Sequence, residues 1–333
     1  MKVLLYTENE KQIHKSGLGH ALNHQMMALE SQGIEYTTDP EDKYDIAHIN
    51  FYLMNSYLLA KKLKKENIPI VYHAHSTEED FRNSFLLSNE ISPLFKKWLI
   101  TCYNMGDAIV TPTKYTKEIL KGYGIKKPIY HISNGINLKD FHETDGYRQI
   151  FRDKYGYTDD DKVVLGIGLY IERKGILDFI ELAKSMPEFK FIWFGHTNKA
   201  VLPVKINTAL EIAKHIPNLK LAGYGDKELI KMAYAGCDVY VFPTHAETEG
   251  IPILEAAAMK TPMIIRDLPI FSDWTIDKEN IYKAKTNREF QELIASITKN
   301  KVKDLTDEAY NIALERDINI IGQKLKEVYE SLL

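Results

Sequence analysis

Short apolar runs alternate with longer helical patterns along the whole chain, and this limits the fold more than any other feature of the sequence. The first half offers "KVLLYT", "IEYTT", "IAHIN", "PIVYHAH", "AIVTPT" and "PIYHIS"; the second offers "VVLGIGL", "FKFIWFG", "LKLAG", "DVYVFPT" and "PMIIRD". Runs of this length, separated by helical stretches, predict parallel sheets covered by helices. Between the two series lies the polar, turn-rich "DGYRQIFRDKYGYTDDDK". The chain therefore reads as α/β, with two Rossmann-like domains facing each other across a cleft. Residues 1–145 form the first and residues 146–316 the second, while the amphipathic tail 317–333 is available to pack back on the first. A length of 333 residues fits two domains.

The stretch "ETEGIPILE" places Glu247, Glu249 and Glu255 where the apolar run "DVYVFPT" hands over to a helix. Helix N-termini favour anions, phosphate above all. Acids there complement the helix start, or hold hydroxyl groups beside a bound phosphate. In "GLYIERKG", Arg173 and Lys174 lie on another strand-to-helix loop, suited to a diphosphate, and Gly175 opens the helix; an exposed basic loop is the plain alternative. "KSGLGHALNHQ" sets Gly17 and Gly19 at a helix entry, where backbone approaches a ligand closely. The third glycine of the dinucleotide fingerprint is missing, which disfavours a nicotinamide dehydrogenase. His73 and His75, two apart, point to one side of their strand, and His75 is nearer its carboxyl end, where open parallel sheets bind ligands. No third ligand stands at metal spacing. The acids Asp159 to Asp161 precede a strand and read as a solvated turn.

Composition narrows the remaining classes. A net charge of −3 argues against general nucleic-acid binding. Cys102 and Cys237 show no metal-type spacing and suggest a reducing cytoplasm. No stretch approaches the ~18 apolar residues of a spanning helix. Charge is uneven: residues 91–139 carry eight lysines against Asp107 and Glu118, a local balance of +6. That region includes "ISPLFKKWLITCY", where Leu94, Phe95, Trp98, Leu99 and Cys102 recur at helical spacing with Lys96 and Lys97 off the stripe. Such a helix packs on a core or lies on an anionic membrane.

Taken together these motifs resemble the retaining glycosyltransferases of family 4, which have the two-domain GT-B fold. The resemblance spans essentially the whole chain and is most specific at the pair Glu247 and Glu255. It implies Glu247 beside the hydroxyls of the transferred sugar, Glu255 on the nucleotide ribose, and the backbone of Gly250, Ile251, Pro252 and Ile253 facing the diphosphate. It further implies Gly17 and Gly19 as the amino-terminal glycine loop, His75 as the active-site histidine, and Asn134 and Gly135 ("SNG") as the segment before the interdomain connection. One departure stands out: Leu169 occupies the place of the family's arginine, which leaves Arg173 to supply that cation beside Lys174.

"HAHSTEEDFRNSF", "PLFKKWL" and "GLYIERKG" are similar to Gram-positive enzymes that add a second sugar to monoglucosyl-diacylglycerol, making lipoteichoic acid anchors. This implies a UDP-hexose donor, a membrane glycolipid acceptor and no metal or other cofactor. It also implies a cytoplasmic protein bound peripherally to an anionic membrane through Arg82, Phe85, Lys96, Lys97 and Trp98. Two alternatives keep their place: a soluble or polysaccharide-precursor acceptor, and an inactive sugar-nucleotide binding module.

Overall fold

A computed structural model describes residues 1–8 and 17–333. Among these residues two six-stranded parallel sheets form, in the strand orders β2-β1-β3-β4-β5-β6 and β12-β11-β10-β7-β8-β9. The first comprises β1 (Lys2–Tyr6), β2 (Glu35–Thr37), β3 (Ile46–Ile49), β4 (Ile70–His73), β5 (Ala108–Thr111) and β6 (Ile129–His131). The second comprises β7 (Val163–Ile167), β8 (Lys190–Phe194), β9 (Leu219–Gly223), β10 (Val239–Phe242), β11 (Met263–Arg266) and β12 (Tyr282–Ala284). Each apolar run singled out above becomes a strand, and β12 is an addition to them. Strands such as β3, β4, β5 and β10 are buried along their whole length. That is why they read as continuous apolar runs without alternation.

In both sheets the winding direction reverses beside the first strand. Ligands of doubly wound sheets bind at this reversal, beyond the carboxyl ends of the strands. In the second sheet it falls between β7 and β10. The loop with Arg173 and Lys174 follows β7, and the loop with Glu247 follows β10, so topology alone brings them together. In the first sheet the reversal falls between β1 and β3, with β4 next in order.

Helices cover both faces of each sheet. Helix α1 (Gly17–Ser31) and the last helix, Ile318–Glu330, pack together on the first sheet, burying Leu22, Ala28, Leu29, Ile321, Leu325 and Val328 in one cluster. Ile318 is hydrogen-bonded to Ile136, just after the crossing segment. The helix Met54–Lys65 (α2) and the helix Ser88–Tyr103 (α4) lie on the opposite face; the single turn Glu78–Phe81 (α3) precedes α4.

In α4 the apolar stripe is divided rather than presented to one medium. Leu99 and Cys102 are buried, and Phe95 and Trp98 pack half-buried on the same cluster. The Trp98 indole donates to the Tyr52 carbonyl at 2.6 Å and its ring contacts Tyr57. The Tyr52 carbonyl and the Tyr57 ring thus hold Trp98 at the edge of the core, half-buried. Leu94 is left 67% exposed, together with Leu86, Leu87 and Ile91.

Candidate active site

The site begins at the carboxyl end of β10. Gly250, at φ +97°, breaks the chain into α10 (Ile251–Ala258), whose first turn holds Pro252. A left-handed residue followed by proline ends the loop sharply and starts the helix. Glu247 lies in that loop with its side chain nearly closed off from solvent. Its Oε1 accepts from Lys174 Nζ at 2.5 Å and from Thr244 Oγ1 at 2.8 Å. Its Oε2 is 3.7 Å from Arg173 Nη1. Burial pushes the Glu247 carboxyl upward, but Lys174 and Arg173 outweigh it and hold it below the usual carboxylate range. The group stays ionised.

The two loops are also fastened through their backbones. His245 N donates to the Arg173 carbonyl at 2.7 Å, and Thr244 Oγ1 lies 3.0 Å from the same oxygen. Arg173 Nη1 donates to the Ala246 carbonyl at 2.8 Å. Gly175, at φ +80°, closes the single 3-10 turn Glu172–Lys174; a Cβ there would stand 2.2 Å from the Pro243 carbonyl oxygen. Only glycine permits this approach. Leu169 packs against the apolar cluster under the second sheet, and the guanidinium near Glu247, beside the closer Lys174, is that of Arg173.

Arg173 reaches the first domain as well. Its Nε donates to Ser84 Oγ at 3.0 Å and its backbone N to the Asn83 carbonyl at 3.2 Å. Further ties cross the cleft between Thr113 Oγ1 and the Thr248 carbonyl, at 3.1 Å, and at Glu249. Glu249 Oε2 accepts from Asn134 N at 2.9 Å and Asn134 Nδ2 at 2.7 Å. Burial raises the Glu249 carboxyl. The third acid therefore joins the loop to the segment where the chain crosses between sheets, a role that sequence spacing did not reveal.

Glu255, in α10, is buried. Its Oε2 accepts from the Tyr234 hydroxyl at 3.0 Å, and its Oε1 lies 3.7 Å from His20 Nδ1 of α1. The Glu255 carboxylate beside it raises the His20 imidazole above its ordinary value. Gly17 and Gly19 stand in the first turn of α1, placing that turn near Glu255; Lys15 and Ser16 of the same motif lie outside the described residues. His75 follows β4 and stacks on His73, with ring centroids 3.8 Å apart.

Of the residues expected at the acceptor, Arg82 pairs with Glu78 at 2.6 Å and bonds Ser92, while Phe85 is exposed. Lys96 pairs with Glu78 at 3.3 Å and covers the Tyr123 ring, whereas Lys97 is exposed. Asp80, in α3, was not singled out by the sequence. Its Oδ1 accepts from Thr77 Oγ1 at 3.0 Å in a capping box, and burial raises its carboxyl although Arg173 opposes.

Two switch-point crevices face each other here, with paired acids, two cations and a helix N-terminus between them. The sequence matches the family described as Glycosyltransferase Family 4 over residues 29–140 and that described as Glycosyl transferases group 1 over residues 148–315. The chain belongs to the family 4 glycosyltransferases. It is 41% identical to the processive diacylglycerol alpha-glucosyltransferase of Acholeplasma laidlawii, over 100% of this chain and 99% of that protein. It is 27% identical to the alpha-galactosylglucosyldiacylglycerol synthase of Streptococcus pneumoniae, over 86% of this chain and 77% of that protein. Among solved structures, Anabaena HepE in complex with UDP and glucose superposes with a TM-score of 0.78 at 16% identity, over 99% of this chain and 100% of that one. Sucrose-phosphate synthase from Thermosynechococcus elongatus gives 0.81 at 16% identity, over 100% and 99%. These glycosyltransferase structures share the two-sheet GT-B architecture of this enzyme, a hexosyltransferase.

Proposed function

We propose that this enzyme transfers glucose from UDP-glucose, with retention, to a hydroxyl of a diacylglycerol glycolipid at a membrane surface. In this reading Glu255, oriented by Tyr234, takes the ribose hydroxyls. The diphosphate meets Arg173, Lys174 and the N-terminus of α10, where preorganised donors favour negative charge. Glu247 receives hydroxyls of the glucosyl ring, and His75 lies on the acceptor side of the cleft.

Chemistry on both sides supports retention. UDP-glucose carries its sugar in the alpha configuration, and the 41% identical relative is named for an alpha product. A retaining glycosidase would use a free carboxylate nucleophile. Glu247 is a poor fit to that role, because Lys174 and Thr244 engage its Oε1 and Arg173 faces its Oε2. The reading assigns removal of the acceptor proton to the departing diphosphate, on the face from which it leaves.

The observation that carries the lipid acceptor is the apolar edge of the cleft. Leu86 N donates to the Val201 carbonyl at 3.1 Å, joining the two domains at the mouth. Around this bond Phe85, Leu86, Leu87, Ile91, Leu94, Val201 and Val204 are all exposed. Exposed apolar surface continuous across a cleft marks a binding or membrane contact. Lys97, exposed on α4 three residues from Leu94, adds positive charge suited to anionic lipid.

The test is incubation with UDP-glucose or UDP-galactose and glucosyl-diacylglycerol in anionic vesicles, followed by identification of the lipid product. An alpha-linked diglucosyl lipid is expected. Transfer confined to water-soluble acceptors would overturn the lipid assignment, and a galactosyl product the donor.

A further inference from the structure

Three consecutive residues of the loop after β10 are held by three different parts of the molecule. Glu247 is bound inside the second domain by Lys174 and Thr244. The Thr248 carbonyl accepts from Thr113 Oγ1, at the start of the first-domain helix Lys114–Gly122. Glu249 reaches Asn134, where the chain crosses from the first sheet to the second. Gly250 follows at once and opens α10.

The crossing that Glu249 meets is itself fastened. Ile136 N donates to the Arg316 carbonyl at 3.0 Å, and Ile318 N to the Ile136 carbonyl at 3.1 Å. The outgoing and returning crossings are thereby paired in parallel. Gly135, at φ +76°, allows this approach: a Cβ there would stand 3.0 Å from Ile321 and 3.4 Å from the Arg316 carbonyl oxygen. Glu249 is 1% exposed. The backbone N of Asn134 can only donate, so its 2.9 Å bond to Glu249 Oε2 holds whichever way the Asn134 amide is turned. Among the described residues the bonds of Glu249 go to Asn134 and not to the amides of α10, so a local helix-start role does not account for it.

We propose that Glu249 is a positioning residue: by tying the loop to the paired crossings, it sets where Glu247 and the first turn of α10 stand in the cleft. The inference rests on the reading of Glu247 as the acid that receives the transferred sugar. Lys174 and Arg173 hold the carboxylate of Glu247, whereas Thr113 and Glu249 hold the backbone that carries it. The Asn134 donors are uncharged, so the role needs an acceptor oxygen at the right reach and not a negative charge. Misplacing a functional group by about 1 Å can cost on the order of a hundredfold in rate.

Reach and charge are separated by two substitutions in the full chain. Glu249→Gln keeps the reach and loses the charge; Glu249→Asp keeps the charge and is shorter by one methylene. Transfer from UDP-glucose to glucosyl-diacylglycerol in anionic vesicles is measured for both, with UDP affinity by calorimetry and the urea midpoint. Glu249→Gln should stay near wild-type kcat. Glu249→Asp should lose about ten- to a hundredfold in kcat, with UDP affinity close to wild type because Glu255, Arg173 and Lys174 are untouched. The reverse order of the two variants overturns the proposal. So does a Glu249→Asp protein with a lowered midpoint and wild-type kcat, the pattern of a purely structural tie. Should Glu249→Asp not fold, Asn134→Ala decides: it removes the 2.7 Å bond and keeps the backbone one. A reduced kcat supports the proposal there, and a wild-type kcat overturns it. Full turnover in Glu247→Gln is the separate result that would sink the sugar role of Glu247.

Discussion

Lys174 Nζ stands 2.5 Å from Glu247 Oε1, and the two side chains, from different strand-to-helix loops, shield each other from solvent. Breaking a buried pair from one side leaves an uncompensated charge, which costs about 3–5 kcal/mol. Lys174→Met and Glu247→Gln should each lower stability more than the double variant does per residue. Urea unfolding of the four proteins measures this coupling; additive losses would show the pair to be independent. Turnover should fall at least about a hundredfold in Lys174→Met, the scale of a lost charge-stabilising donor. Arg173→Ala should do less harm, since Arg173 is 3.7 Å from the carboxylate and is shared with Ala246 and Ser84.

Gly175→Ala tests the join between these loops. The added Cβ meets the Pro243 carbonyl at 2.2 Å in a left-handed conformation that disfavours side chains. The turn carrying Arg173 and Lys174 must then move away from the Glu247 loop. Destabilisation above about 1 kcal/mol is expected, with weaker UDP binding by calorimetry and a larger loss in turnover. Wild-type turnover in this variant would remove the two-loop clamp from the chemistry.

Stability should fall on the acid side of neutrality because of the imidazoles of His48 and His73, buried in the first domain, and of His75 stacked on His73. Burial lowers His48 and His75 to about 3, and His73 is also lowered well below its ordinary value. The unfolded chain protonates these groups near pH 6.5, while the folded chain does not until far lower pH. Unfolding therefore takes up protons, and stability is lost progressively as pH falls from about 6.5 towards 3. Each such group contributes a slope of about 1.4 kcal/mol per pH unit in that window. Urea midpoints at pH 7.0 and 5.5 measure it. Equal midpoints would show that protons reach these rings in the folded protein.

How much of this was legible in the sequence depended on whether a feature was local. Fully buried strands such as "IAHIN" and "DVYVFPT" declare themselves as apolar runs, and parallel topology then places the Arg173 and Glu247 loops at one edge. The strand β12 went unseen because Tyr282–Ala284 is only three residues long and carries a lysine. Glu249 was visible as a third acid, but its partner Asn134 is 115 residues away. The stacking of His48 on His73 and its bond to the Tyr329 hydroxyl left a faint signal: β3 and β4 each have a histidine near the carboxyl end and pair in parallel. Nothing local pointed to Tyr329. Along α4, helical spacing revealed a stripe but not its neighbour, and it is Tyr52 and Tyr57 that draw Trp98 inward.

That division of α4 changes which residues should govern membrane contact. Lys96 is occupied by Glu78 and Tyr123, so reversing its charge would disturb α3 as much as any lipid contact. The exposed leucines are cleaner probes: Leu87 is 59% and Leu94 67% exposed, and neither has a place in the cores under the sheets. Full burial of a leucine is worth about 1.5–3 kcal/mol, or roughly ten- to a hundredfold in binding. Leu87→Glu with Leu94→Glu should therefore abolish co-sedimentation with anionic vesicles and transfer to vesicle-borne glycolipid. UDP affinity and the unfolding midpoint should change little, because both side chains lie outside the nucleotide loops. Binding by the wild type should weaken as salt rises, since screening at 0.15 M acts over about 8 Å. Vesicle binding that survives the double substitution would show that the leucine face stays in water and that another surface brings the lipid to the cleft.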